Sequence, residues 1–216
     1  MKAGLVRALA GIVAMVAIGA LLLQYALLLE LEADGVGAGL ATVRFLSYFT
    51  ILANGLVALA TVPAAIKATP RTDAFFARSR VLAGIALYIG VTGIVYTAIL
   101  RHLWQPQGAQ WWADSGLHYA TPLLYVGWWL VGVRHGDLRL ADVPRWLLFP
   151  GAYLLWCLLR GARVHEYPYP FLDVDALGLA MVSCNAVGVL VLFVVAGIVL
   201  VALDRMLAKR RAPGTQ

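Results

Sequence analysis

Long apolar runs alternate along the chain with short charged or proline-bearing segments. The runs match a bilayer, whose hydrocarbon core takes about 20 apolar residues of helix to cross. Six are predicted, at 4–29, 43–66, 81–101, 116–133, 145–160 and 176–203, the fifth being the shortest. They must be helices, because lipid offers no partner for the backbone groups of an open strand. The two-residue alternation of an outer-membrane barrel strand is missing as well. The connections are too short to hold a separate soluble domain, so residues 1–216 read as one all-α, six-helix integral membrane domain. The first run is too long for a signal-peptide core, and no small-residue cleavage site precedes Glu30.

Polar positions inside the runs are not scattered. The second run opens with RFLSYFTILANG, residues 44–55, in which Ser47, Thr50 and Asn54 follow helical spacing and share one predicted face. At 1.5 Å rise per residue Thr50 lies about 9 Å below Arg44. The third run ends in Tyr96, Thr97, Arg101 and His102, and the fourth begins with His118, Thr121 and Tyr125 at similar spacing. Gln24 and Tyr25 lie near the end of the first run, and Ser183 and Asn185 near the start of the sixth. The opposite halves are plain, as in IALYIG of the third and GVLVLFVVAG of the sixth. Polar groups in lipid are costly unless they face the bundle interior or a wet cavity. The pattern predicts one polar cavity on one side of the membrane, with Thr50 and His118 at similar depth. Pro122 has no N–H for the carbonyl four residues back, which belongs to His118, so an opened turn is expected there.

Charge supplies the direction. Thirteen of the 17 basic residues flank what would be one side: Lys2, Arg7, Lys67, Arg71, Arg78, Arg80, Arg134, Arg139, Arg145, Arg205, Lys209, Arg210 and Arg211. The positive-inside rule puts that side, with both termini, in the cytoplasm, and the polar cavity on the extracytoplasmic side of the inner membrane. Seven of the 11 acids fall outside: Glu30, Glu32, Asp34, Asp114, Glu166, Asp173 and Asp175. The net charge of +6 is then a topological signal and not a nucleic-acid footprint. A composition 62% hydrophobic and 13% charged excludes a soluble domain of this size. Trp104, Trp111, Trp112, Trp156, Tyr167 and Tyr169 cluster at the outer ends of the runs, and Trp128, Trp129 and Trp146 nearer the inner ends, as interfacial belts do. Cys157 and Cys184 read as small packing residues rather than a disulfide.

Three motifs, YFTILAN in the second run, HYATP in the fourth and YPYPFLDV before the sixth, resemble the androgen-induced protein family, and in particular its bacterial branch of six-span membrane proteins. The resemblance covers essentially the whole chain, and YPYPFLD and HYxxP are its more specific pieces. It implies six spans and hydrolysis of fatty acid esters of hydroxy fatty acids, by a membrane-embedded threonine with a histidine partner. By motif position these residues are Thr50 and His118. The stretch before the histidine, Asp114-Ser115-Gly116-Leu117, departs from the eukaryotic pattern. On this reading His118 takes the Thr50 proton, Asn54 donates to the oxyanion, and Ser47 or Tyr48 orients the pair. The plainer reading has Thr50 bonding a carbonyl one turn back and His118 capping the fourth run.

Arg44 and Arg101, with His102 beside the latter, are either interfacial anchors or a carboxylate-binding group for a lipid acid. His102, His118, His165, Asp114, Glu166 and Asp173 share the outer side, yet no HxxxH or HExxH spacing joins two on one helical face, so no metal and no cofactor are expected. The alternate prolines of YPYPFLDVD forbid a helix; the segment reads as an interfacial turn or a lid. The expected partners are membrane lipids or fatty acid esters. A non-enzymatic transporter or lipid-binding protein using the same cavity is the competing class, although the plain inner half argues against a through-path.

Overall fold

The computed structural model describes residues 3–32, 35, 37–66 and 75–211, with side chains through Lys209. Of the charged residues that set the expected orientation, Lys2, Asp34, Lys67 and Arg71 lie outside the described residues, as do the side chains of Arg210 and Arg211. The protein is all-α, with no strand among the described residues. Five helical stretches are long and apolar enough to cross a membrane: Ala3–Leu31, Phe49–Ile66, Ser79–His102, Leu140–Val164 and Val174–Lys209. Large apolar side chains stand exposed along them, Met15, Leu59, Leu148 and Leu179 among them, as lipid-facing helices require.

The chain divides into two compact units, 1–135 and 136–216. In the first, α1 (Ala3–Leu31) packs on α3 (Phe49–Ile66), α5 (Gly108–Ser115) and α6 (Thr121–Gly132), while α4 (Ser79–Ala98) packs on α3 and α6. The close approach rests on small residues. Ala10, Ala14, Ala17 and Ala20 of α1 are buried, as are Ala53 and Ala60 of α3. With no hydrophobic force between helices in lipid, such small surfaces let van der Waals contact drive association. Polar ties add to it: Arg7 Nε donates to the Ala65 carbonyl at 3.2 Å, Trp128 Nε1 to the Val6 carbonyl at 3.1 Å, and Tyr125 Oη to the Leu82 carbonyl at 3.2 Å.

Two expected spans take a different form. The second is not one helix over 43–66. A short helix α2 (Gly37–Leu46) ends before Ser47, and α3 starts at Phe49. Ser47 N–H turns back to the Arg44 carbonyl and Tyr48 N–H to Phe45, three residues each, which tightens the chain and stops α2. The fourth, expected at 116–133, starts earlier, at Gly108. It is built from α5, a π-type turn over Gly116–Ala120, and α6, so no single helix in it reaches 18 residues.

The second unit holds α7 (Val143–Trp146), α8 (Leu148–Val164) and α9 (Val174–Arg211), the last kinked where Gly178 takes φ 74°. At one end the buried Asp204 carboxylate accepts from Gly136 N–H at 2.9 Å and Leu138 N–H at 3.0 Å. At the other, Arg160 pairs with the Glu166 carboxylate and donates to its carbonyl at 3.0 Å. The prolines of 167–171 do break the helix, but the segment is held down: Tyr169 and Leu172 are buried, and Asn185 Nδ2 donates to the Phe171 carbonyl at 2.9 Å.

Candidate active site

The helix break at Ser47–Tyr48 places Thr50 in the first turn of α3, and the π-type turn carries His118. Both lie in the first unit, and they meet. Thr50 Oγ1 is 3.3 Å from His118 Nε2. Three other buried hydroxyls of the unit follow the usual habit of membrane helices. Ser47, Thr61 and Thr92 each donate to the carbonyl four residues back, at 2.7, 2.8 and 2.9 Å. Thr50 faces an imidazole.

The other ring nitrogen has partners of its own. His118 Nδ1 is 3.1 Å from the Asp114 carbonyl oxygen and 3.2 Å from Asp114 Oδ1. Both oxygens suit a donor at Nδ1, the tautomer in which Nε2 offers its lone pair to Thr50. Asp114 is 3% exposed and its second oxygen accepts from Tyr96 Oη. The Tyr96 ring also stacks on the imidazole, 3.9 Å between centroids and 14° from parallel. The imidazole is therefore held on its face, on its Nδ1 edge and, through Asp114, by a phenol from a third helix.

The π-type turn has identifiable causes. Thr121 N–H reaches back five residues to Gly116, and Pro122 has no N–H to give. The carbonyl deprived of both donors that a helix would offer is that of Leu117, not His118 as Pro122 alone suggests. Asn54 Nδ2 supplies the missing donor from α3 at 3.2 Å, and also bonds the Thr50 carbonyl at 2.8 Å. Gly116 permits the turn to lie against α1, for a Cβ there would come 2.7 Å from Ala20 Cβ. Gly93 does the same on the α4 side, where a Cβ would meet Pro122 at 3.2 Å and the His118 carbonyl at 3.3 Å.

Several expected roles change with this geometry. Asn54 is not an oxyanion donor: both its N–H groups serve backbone carbonyls, and its buried Oδ1, with no partner among the described residues, can only accept. Flipping the amide would set its oxygen against those carbonyls, so they fix its orientation. Asn54 acts as a strut between the Thr50 and His118 segments. Ser47 lies on the far side of the break, outside the α3 face that it was expected to share, and Tyr48 is 42% exposed. The groups oriented on His118 are Asp114 and Tyr96. Thr121 is fully buried and its hydroxyl has no partner among the described residues. Arg44 is paired with Glu32 at 2.7 Å, and Arg101 Nε donates to His102 Nε2 at 3.2 Å on the exposed surface. Asn185 of α9 is committed within the second unit.

Thr50 and His118 were legible as polar groups at similar depth, and Tyr96 as a polar residue near the end of the third run. Asp114 was legible as an outer acid, as part of the stretch before the histidine and as a possible metal ligand, but not as a partner of His118. Its i, i+4 spacing to His118 is the signal that would have joined the two.

No protein-family model matches the chain, and a search of curated proteins and a search of solved structures each give no match.

Proposed function

We propose that this chain is an integral membrane hydrolase of lipid esters, with Thr50 as nucleophile and His118 as general base. The observation that carries the reading is the 3.3 Å contact between Thr50 Oγ1 and Nε2 of His118. A hydroxyl becomes a useful nucleophile only when a base stands ready for its proton, and apo geometries of such pairs are commonly somewhat long. The resemblance of YFTILAN, HYATP and YPYPFLD to the androgen-induced family supplies the substrate class.

The reaction runs as acyl transfer. Thr50 Oγ attacks the ester carbonyl carbon as its proton passes to His118 Nε2. The tetrahedral intermediate collapses, the carbon–alkoxy bond breaks, and Nε2 returns the proton to the leaving alcohol. Water then attacks the acyl-Thr50 ester, again giving its proton to Nε2. Collapse frees the fatty acid, and Thr50 recovers its proton. The oxyanion forms beside the first turn of α3, where the peptide dipoles favour negative charge. The topology proposed is six spans, with Gly108–Gly132 as the fourth and both termini cytoplasmic, which opens the site toward the extracytoplasmic half of the inner membrane. The basic loops support it.

The test is hydrolysis of long-chain hydroxy-fatty-acid esters by purified protein in detergent. Thr50→Ala and His118→Ala are each expected to lower kcat/KM by about 1,000-fold or more, with the elution profile unchanged. Wild type without turnover on any long-chain ester, or variants as active as wild type, would defeat the proposal.

A further inference from the structure

Asp114 is a carboxylate only 3% exposed, a costly position unless the charge is compensated. Among its contacts are a phenol donor on one oxygen and the imidazole Nδ1 on the other. The phenol and the imidazole are themselves stacked, so three side chains from α4, α5 and the π-type turn form one block. A histidine that merely fills space needs only one acceptor for Nδ1–H, and the Asp114 carbonyl already supplies it at 3.1 Å. The carboxylate adds something the carbonyl does not, a full negative charge next to a ring that becomes cationic during the reaction.

We infer that Asp114, held by Tyr96, is the positioning residue of a Thr50–His118–Asp114 relay, fixing the His118 ring with Nδ1 protonated and balancing the imidazolium charge. The assignment rests on the hydrolase reading for its catalytic part, whereas its structural part, the tautomer, stands apart from it. When Thr50 Oγ loses its proton, the proton goes to Nε2 and is held there until the leaving alcohol takes it. Asp114 receives none; it supplies charge only. Tyr96 Oη occupies the second carboxylate oxygen, so the carboxylate cannot swing away from Nδ1. The ring stack blocks rotation of the imidazole about its Cβ–Cγ bond. Asp114→Asn breaks this logic. Its amide oxygen takes the Tyr96 hydroxyl, and its N–H groups then point at Nδ1, which must accept. The backbone carbonyl of residue 114 competes for the opposite tautomer, so a mixture results.

The experiment uses the full chain, 15N-labelled at histidine, in detergent. The resonances of His118, one of four histidines, are identified by their loss in His118→Ala. Wild type is expected to show a protonated Nδ1 and an unprotonated Nε2. Asp114→Asn is expected to shift the ring toward the Nε2–H form and to lower ester hydrolysis by about 100-fold. Tyr96→Phe keeps the stacked ring and removes only the hydroxyl, so it serves should Asp114→Asn not fold. It is expected to mix the tautomers and lower hydrolysis by about 10-fold. A wild-type ring protonated at Nε2, or a tautomer and rate unchanged in Tyr96→Phe, would overturn the assignment. If the tautomers shift as expected while wild type hydrolyses no ester, the hydrolase reading fails and the positioning of His118 by Asp114 stands.

Discussion

Asn54 shows how a residue is read differently once its donors are followed. From the sequence it is a polar group one turn below Thr50, and an oxyanion role follows easily. The structure spends both its N–H groups on the carbonyls of Thr50 and Leu117, and so makes it the brace that holds the nucleophile segment to the histidine segment. Removing it leaves the buried Leu117 carbonyl without a donor, which costs about 1–3 kcal/mol. Asn54→Ala is therefore expected to lower the thermal midpoint in detergent. Asn54→Asp is expected to lower it further, because a carboxylate would set lone pairs against both carbonyls. Calorimetry or tryptophan fluorescence ranks the two, and Asp tolerated better than Ala would contradict the assignment. Thr50 and His118 were legible in the sequence because a hydroxyl and an imidazole stand out at one depth among apolar neighbours. The Asp114 role was not. A carboxylate near a helix end looks like an interfacial charge until the stacked Tyr96 ring and hydroxyl show what encloses it.

At the scale of the element, the hydropathy pattern located the apolar segments well and missed how two of them are made. Hydropathy measures apolar content over a window and is blind to backbone register. The break between α2 and α3 sits in LSYF, which contains neither proline nor glycine, and nothing local in the sequence announces it. The π-type turn is half legible. Pro122 signals a lost donor, but the shift to a five-residue bond at Gly116 depends on how closely Ala20 of α1 approaches. These are the two irregularities that present Thr50 and His118 to each other. π-type turns recur at functional sites because they re-aim a side chain without ending a helix. Gly116→Ala is expected to cost about 1–3 kcal/mol, since the new methyl would lie 2.7 Å from Ala20 Cβ. Ala20→Gly in the same chain is expected to recover most of the loss. Thermal midpoints of the four combinations measure the coupling, and purely additive effects would show that the α1 contact does not set the turn.

For the whole molecule the apolar content points to a membrane, and the proposed direction rests on the charges. On the proposed topology thirteen of 17 basic residues flank one side, the bias that the positive-inside rule reads. Cys157 and Cys184 are free thiols, so a background with both replaced supports single-cysteine scanning. Leu103, just beyond the Ser79–His102 stretch, and Leu140, the first residue of the Leu140–Val164 stretch, are both exposed and lie at ends proposed to face opposite sides. In intact cells permeable only at the outer membrane, an impermeant maleimide is expected to label Leu103→Cys and to leave Leu140→Cys unlabelled until the inner membrane is opened. The reverse pattern would invert the topology and put the site on the cytoplasmic side.

An activated Thr50 reacts with a fluorophosphonate probe, which needs no knowledge of the substrate. Purified protein in detergent is treated with the probe and the adduct mapped by mass spectrometry, beside Thr50→Ala and His118→Ala. A single adduct is expected on Thr50 of the wild type and none in either variant. A folded wild type that never labels, or an adduct that persists in Thr50→Ala, would contradict it.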